Sequence, residues 1–202
     1  MKILSFDTSS DVLSAGVFDG EKKLAFYEFE ASTRHSEILA PVLEKVLKSS
    51  KMNWTKIGCV AVCVGPGSFT GLRIGVTTAK ILSYALKINL IGVSSLEAMA
   101  RSVEREGTFA VMRDAKKTQV YAAVYQRKNK KWKILQKPAI LFREDFLKSL
   151  RPEMMILDST RSGASAVAAI AWDRIRLKNF DEPFSLEPLY LHPKDCNVSV
   201  KK

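Results

Sequence analysis

The chain has 202 residues, of which 47% are hydrophobic, and a formal net charge of +11. A chain of this size and composition can bury a sizeable core, as one domain or two small lobes, which excludes a disordered protein. No apolar run reaches about 18 residues, so no membrane-spanning segment is predicted. Asp7 comes too early for a signal peptide, and the cysteines are typical of buried thiols in a reducing compartment. We therefore expect a cytoplasmic protein.

The positive charge is concentrated in the second half of the chain. Residues 1–100 carry 11 Lys and Arg against 9 Asp and Glu, whereas residues 101–202 carry 21 against 12. Such a half is compatible with contact to nucleic acid or to an acidic partner. However, Lys128, Lys130, Lys131 and Lys133 surround one predicted hairpin turn, and lysine clusters of this kind are commonly solvated surface.

The N-terminal segment has the pattern of three short strands. They are predicted at residues 2–6, 12–18 and 23–29, with Asp19-Gly20 as the turn between the second and the third. Asp7, Thr8 and Ser9 follow the first strand. These short polar side chains either form a turn only, or direct a carboxylate and hydroxyls at a phosphate or its metal.

An amphipathic helix is predicted next, capped by Thr33 or Ser36 and ending near Ser49. Its apolar residues recur at helical spacing over a wide stripe: Ile38, Leu39, Val42, Leu43, Val46 and Leu47. Part of this stripe could serve a partner helix. His35 is interpreted as a capping or surface residue, because the only other histidine is His192.

The central stretch runs from Cys59 to Leu86. Residues 59–64 are apolar and rich in β-branched side chains, which predicts a buried strand. A loop with three glycines follows, and then a helix capped by Ser68 or Thr70. A strand, glycine loop and helix in this order can present free N–H groups to an anion, so Gly65, Gly67 and Ser68 are candidate phosphate-binding residues together with Asp7, Thr8 and Ser9. The loop is neither a P-loop nor a Rossmann fingerprint, so a connection without a ligand is an equal alternative.

The helix of this stretch has a smooth face. Gly71, Gly75 and Ala79 are spaced by four residues, although glycine inside a helix costs up to about 1 kcal/mol relative to alanine. The face therefore packs closely either on the chain's own sheet or on a helix of another subunit. The second alternative gives a candidate partner or dimer interface on two helices: Ile38, Val42, Val46, Gly71, Ile74, Gly75, Thr78, Ala79 and Leu82.

The second half repeats the first in outline. The strand at 109–114 ends in Asp114 as the first strand ends in Asp7, and another hairpin follows. A helix at 143–150, a strand at 154–158 and an Ala-rich helix at 164–172 complete the repeat. Two βββαβα units predict an N-terminal lobe at 1–106, a smaller C-terminal lobe at 107–202, and a cleft between them.

Several segments together resemble the bacterial TsaB (YeaZ) family over nearly the whole chain. They are LSFDTSSDVLSAGV, RHSEILAPVLEKVL, VGPGSFTGLRIGVTTAK, GVSSLEAMA, RDAKKTQVYAAVY and PLYLHP. The resemblance implies an α/β fold with duplicated actin-like lobes, of the ribonuclease H-like type shared with Hsp70 and sugar kinases. It also implies a place in the machinery that forms threonylcarbamoyladenosine at position 37 of tRNAs. Members are paralogues of the catalytic subunit TsaD, and both have been described as glycoprotease-like.

The chain departs from the catalytic paralogue at its metal site. Ser95 and Met99 stand where the resemblance would place the two histidines of a His-x-x-x-His motif, and neither suits a hard catalytic metal. The second lobe has only Asp114-Ala115-Lys116-Lys117 at its phosphate turn, with no counterpart of the glycine loop. We therefore expect no catalytic residue, no metal site, and ATP or ADP binding that is weak and confined to a complex.

These observations predict a non-catalytic subunit. Its expected partners are TsaD by direct binding, the ATPase subunit TsaE through the complex, tRNA indirectly, and a second copy of the chain when TsaD is absent. Two alternatives remain: an independent ATP-binding or glycoprotease-like enzyme using Asp7, Thr8 and the glycine loop, and a tRNA-binding module using the basic second half.

Overall fold

The computed structural model describes residues 1–158 and 161–191, which form two β-sheets and five α-helices. The elements of the first sheet and its connections are β1 (Lys2–Asp7), β2 (Val12–Asp19), β3 (Lys22–Glu30), α1 (His35–Ser49), β4 (Cys59–Gly65), α2 (Phe69–Leu86), β5 (Asn89–Ser94) and α3 (Ser95–Arg101). Those that follow are β6 (Gly107–Asp114), β7 (Gln119–Lys128), β8 (Lys131–Phe142), α4 (Arg143–Ser149), β9 (Met155–Asp158) and α5 (Ala164–Arg176). None of the described helices has the length and apolarity to cross a bilayer.

The two sheets have the same pattern of strand pairing. The first has the order β3-β2-β1-β4-β5 and the second the order β8-β7-β6-β9. In each, the central strand (β1 or β6) runs antiparallel to the next strand and parallel to a later one. Each central strand also ends in an aspartate that accepts a backbone N–H two residues on: Ser9 N to Asp7 Oδ1 at 2.8 Å and Lys116 N to Asp114 Oδ1 at 3.2 Å. The predicted α/β fold with duplicated βββαβα units is confirmed.

Helices cover both faces of the first sheet. On one face α1 and α2 bury their apolar sides, which include Val46 and Ala79, against β1, β2 and β4. On the other face α5 buries Val167 and Ala171 against Ile3 and its neighbours. Because both faces are covered, β4 can consist of an uninterrupted apolar run.

The two halves exchange helices. α3 belongs to the first half by sequence, but Leu96 and Met99 pack against Phe109 and Tyr125 of the second sheet. α5 belongs to the second half but covers the first sheet. Arg101 of α3 and Asp173 of α5 form an ion pair of 2.5 Å where the two helices meet.

The two sheets divide between β5 and β6, whereas the last helix, α5, does not stay with the second sheet. Residues 1–106 contain the first sheet and 107–158 the second, but α5 and the segment 177–191 lie on the first lobe. In this segment Asp181 bridges Leu90 of the edge strand β5, Leu186 packs on Gly92, and the N–H of Leu189 donates to the Val64 carbonyl at 2.7 Å. α5 thus does not repeat the packing of α2 on its own sheet.

The start of α1 differs from the prediction. Arg34 occupies the cap position and makes no side-chain cap, so neither Thr33 nor Ser36 caps the helix. His35 is buried rather than at the surface, and its Nε2 lies 2.9 Å from the Ser10 carbonyl oxygen. The predicted cap of α2 is confirmed, because Ser68 Oγ accepts the N–H of Gly71. His192 and Cys196 lie outside the described residues.

Candidate functional site

The polar turn after β1 and the glycine loop after β4 lie directly against each other. They meet because β1 and β4 are parallel neighbours, so their carboxyl ends share one edge of the sheet. The N–H of Ser68 donates to the Ser9 carbonyl at 2.8 Å, and Thr8 Oγ1 donates to the Gly71 carbonyl at 2.7 Å. The structure thus brings the six candidate phosphate-binding residues to one edge of the sheet, where Ser9 contacts Asp7, Gly67 and Ser68.

The glycines are needed for this close approach. A Cβ on Gly67 would lie 2.2 Å from the Ser9 carbonyl oxygen, and one on Gly71 would lie 2.1 Å from that of Thr8. A Cβ on Gly75 would lie 2.2 Å from Thr8 Oγ1. Gly71 and Gly75 on the smooth face of α2 therefore pack closely on the turn after β1, a contact that neither sequence-based alternative named.

Two residues missed by the sequence analysis complete the cluster. Ser162, just before α5, donates to Asp7 Oδ2 at 2.5 Å, and Asp7 is only 2% exposed. Arg113 Nη1, at the end of β6, donates to the Pro66 carbonyl at 3.0 Å and to the carbonyl and hydroxyl oxygens of Ser9 at 3.3 and 3.2 Å. The repeat in the sequence identifies Asp114 at the end of β6, but nothing in the sequence marks Arg113 before it, or Ser162, as a contact to the first lobe.

In this arrangement several polar groups of the cluster are engaged by the chain itself. The Ser68 N–H points at Ser9, and both oxygens of Asp7 accept hydrogen bonds from the chain itself. Arg113 fills the space between the two loops from the second sheet. The expectation of weak or absent ATP binding remains a prediction to be tested by calorimetry.

Ser95 and Met99, which stand at the positions of the paralogue's two histidines, contact other parts of this chain. Ser95 Oγ donates to the Pro66 carbonyl at 2.5 Å, and Met99 is fully buried in the cluster around Phe109. Within residues 1–158 and 161–191, no three His, Cys, Asp or Glu side chains are grouped as metal ligands. Burial raises the pKa of the Cys59 thiol to about 12 and that of Cys63 well above its usual range, so neither is a reactive thiolate at neutral pH.

The predicted interface residues divide into two groups. Five of them are buried in the chain's own packing and cannot contact a partner in this fold, which corrects the prediction: Val42, Val46, Gly71, Gly75 and Ala79. The apolar stripes of α1 and α2 face the first sheet, because burying them against its apolar side chains removes both from water. Four are half-buried at the outer edge of the helix pair: Ile38, Ile74, Thr78 and Leu82.

The outer side of α2 also carries exposed apolar residues that the sequence analysis did not single out. Ile81 is 60% exposed and lies on the same helical face as Ile74 and Thr78. We call Ile38, Ile74, Thr78, Ile81 and Leu82 the α1–α2 face.

Beside the α1–α2 face, aromatic residues of α2 stack on the C-terminal segment. Phe69 lies 5.6 Å from Tyr190 and Tyr84 lies 5.3 Å from Phe184, between ring centroids. All four rings are exposed. The apolar surface therefore continues from α2 onto this segment.

Comparison with known proteins gives the class. The model of the TsaD family, tRNA N6-adenosine threonylcarbamoyltransferase, matches residues 29–185. The fold and this match define an α/β protein with two similar sheets that is related to TsaD.

Within that class, the chain belongs to the TsaB (YeaZ) family. The tRNA threonylcarbamoyladenosine biosynthesis protein TsaB of Buchnera aphidicola from Schizaphis graminum is 30% identical over 202 residues, covering 96% of this chain and 90% of the relative. TsaB of Bacillus subtilis is 36% identical over 130 residues, which is 64% of this chain and 57% of that protein. YeaZ of Pseudomonas aeruginosa has the same fold, with a TM-score of 0.83 and 20% identity over 94% of this chain and 99% of that one.

Proposed function

We propose that the chain is a non-catalytic subunit of the machinery that forms threonylcarbamoyladenosine in tRNA, and that it binds and stabilises the catalytic paralogue TsaD. Its relatives are named tRNA threonylcarbamoyladenosine biosynthesis proteins, which supports a role for this chain in the same process. The observation that carries the subunit role is the α1–α2 face, where apolar residues of two adjacent helices reach the surface.

The α1–α2 face has the geometry of half a helix bundle. Ile38, Ile74 and Leu82 pack partly against the core, and Ile81 projects beyond them. A paralogue with the same two helices can pack ridges into these grooves to give a four-helix bundle. A second copy of this chain presents the same face, so a homodimer without TsaD follows from the same contacts.

The contacts of the loop cluster support a non-catalytic role. Asp7 is held by Ser9 and Ser162 of the chain itself, and Ser95 is held by Pro66. These residues act as a packed junction between the two lobes, which gives the α1–α2 face a rigid support. Contact with TsaE would come through the complex.

The interface is tested with Ile81→Arg. This side chain is exposed, so the substitution leaves the core intact, whereas Gly75→Arg would clash with Thr8 and disrupt the fold. We expect association with TsaD, measured by calorimetry or pull-down, to weaken by at least about tenfold, because a desolvated position near the centre of an interface contributes strongly.

The matched control is Leu177→Arg. Leu177 is 77% exposed and follows α5, on the opposite face of the first sheet. It should bind TsaD as the unaltered chain does. Unchanged binding of Ile81→Arg would remove this face from the proposal, and full tRNA modification by the other subunits without this chain would remove the function. Micromolar Mg-ATP binding with turnover by the isolated chain would favour the enzyme alternative instead.

A further inference from the structure

The positive charge of the chain lies mostly on one structural unit. The second sheet and α4, residues 107–158, contain 12 Lys and Arg and 5 Asp and Glu, a net charge of +7 out of +11 for the whole chain. This unit is thus much more basic than the lobe that carries the α1–α2 face.

Seven lysines of this unit are exposed and form no ion pair with any described residue: Lys116, Lys117, Lys128, Lys130, Lys131, Lys133 and Lys137. The ion pairs that the unit does form use other cations, namely Arg143 with Asp158 and Lys148 with Glu144. The lysines are therefore not neutralised by the fold.

The hairpin of β7 and β8 holds several of these lysines close together. Lys128 and Lys131 are directly opposite each other in the register, and Lys133 follows two residues on, so it lies on the same side of β8. Like charges directly opposite in a sheet are destabilising. The turn itself places Lys130 at a φ of 61°, a conformation usually given to Gly or Asn. An external anion would offset the repulsion between Lys128 and Lys131.

We infer that the β7–β8 hairpin and the edge strand β8 bind the phosphate backbone of an RNA. Lys131 and Lys133 lie on one side of the edge strand β8, and Lys137 follows beyond the register shifts of that strand, within about 20 Å of Lys131, so the cations are spread over a length that several phosphates of one chain would occupy. Lysines on an edge strand also prevent pairing with other chains, and the experiment separates this role from binding. The inference rests on the proposed function, in which the RNA is the tRNA substrate.

The test compares two double variants of the chain in complex with TsaD. Lys131→Gln/Lys133→Gln removes two cations of the hairpin, and Lys22→Gln/Lys23→Gln removes two exposed lysines from the equivalent hairpin of the first sheet. The affinity for unmodified tRNA is measured by fluorescence anisotropy over a series of salt concentrations. Each lost phosphate contact lowers the slope of log K against log salt by about 0.7–0.9.

We expect the β8 variant to lose about 1.4–1.8 of this slope and to bind tRNA more weakly at low salt, and the β2–β3 variant to match the unaltered chain. Equal slopes for all three proteins would overturn the inference. The lysines would then serve only to prevent the edge strand from pairing with other chains. A change that is the same in both variants would also overturn it, since the effect would then be one of net charge. Binding of TsaD, measured on the same samples, reports separately on the proposed function.

Discussion

At the scale of single residues, Thr8 joins the two loops of the first lobe. Its hydroxyl donates to the Gly71 carbonyl at 2.7 Å, and its backbone carbonyl and hydroxyl oxygens occupy the space that a side chain at Gly71 or Gly75 would need. Thr8 is fully buried, so these contacts are not exchanged with water. The glycines of α2 thus leave the space that Thr8 occupies.

This fit predicts the effect of Gly75→Ala. Alanine normally stabilises a helix relative to glycine, but the new methyl group would lie 2.2 Å from Thr8 Oγ1. We expect a net loss of about 1–3 kcal/mol in the free energy of unfolding, measured with urea. Adding Thr8→Ala should recover part of the loss, because the clashing atom is then absent.

Gly71→Ala provides the comparison for this rescue. Its methyl group would meet the Thr8 carbonyl oxygen, which Thr8→Ala retains. Recovery should therefore be found at position 75 and not at position 71. Equal recovery at both positions would show that the clash with the hydroxyl is not the cause.

At the scale of elements, the segment 177–191 protects the edge strand β5. Asp181 Oδ2 accepts the N–H of Gly92 at 2.8 Å, and the carboxylate receives two hydrogen bonds of 3.0 Å from Arg174. A strand edge that would otherwise present free N–H groups is covered. The segment also carries Phe184 and Tyr190 to the surface beside α2.

We expect Asp181→Ala to release this segment. The substitution leaves the Gly92 N–H without its acceptor, at a cost of about 1–3 kcal/mol. It also removes two hydrogen bonds of the half-buried Arg174, which keeps those to the Gly92 carbonyl and to Asn179. Hydrogen exchange at the Gly92 amide and proteolysis within 177–191 should both become faster. Glu187→Ala, at an exposed residue of the same segment, is the control, and equal behaviour of the two variants would contradict the assigned role of Asp181.

Most elements could be predicted from the sequence, and the reasons are local. The apolar run of β4, the period of α1 and the cap at Ser68 depend on neighbouring residues only. The placement of α5 could not be predicted, because an Ala-rich helix fits either sheet and only long-range packing selects one. The same limit applies to the stripe of α1, since periodicity shows an apolar face but not what covers it.

The sequence predicted which residues of the two loops come together, but not the residues from other elements that hydrogen-bond to them. Asp7, Thr8, Ser9 and the glycine loop were identified because turn residues after parallel strands converge on one edge. Arg113 and Ser162 come from distant parts of the chain, and a single arginine or serine at the end of an element carries no local signal. Their hydrogen bonds engage Asp7, Ser9 and Pro66 and hold the two loops together.

At the scale of the whole molecule, Arg113 links the second sheet to both loops of the first lobe through one nitrogen atom, Nη1. Together with the ion pair of Arg101 and Asp173, it holds the lobes in one arrangement. This arrangement fixes the position of the α1–α2 face relative to the basic β7–β8 hairpin.

We expect Arg113→Ala to loosen this arrangement. Its loss removes hydrogen bonds from a charged donor to the Ser9 and Pro66 carbonyls, which should lower the free energy of unfolding by about 1–3 kcal/mol. Hydrogen exchange should rise at the Ser68 amide and in β6. Arg151→Ala, which alters an exposed arginine, should change neither quantity, and a stable, unchanged Arg113→Ala protein would refute the link.

The exchange of α3 and α5 has a consequence for synthesis on the ribosome. The apolar floor formed by Ile3, Cys59 and Ala61 stays uncovered until residues 164–176 have left the exit tunnel. A nascent chain that stalls before that point exposes an apolar face of the first sheet. Binding of chaperones should therefore be strongest late in translation. For the same reason, neither half should be soluble when expressed by itself.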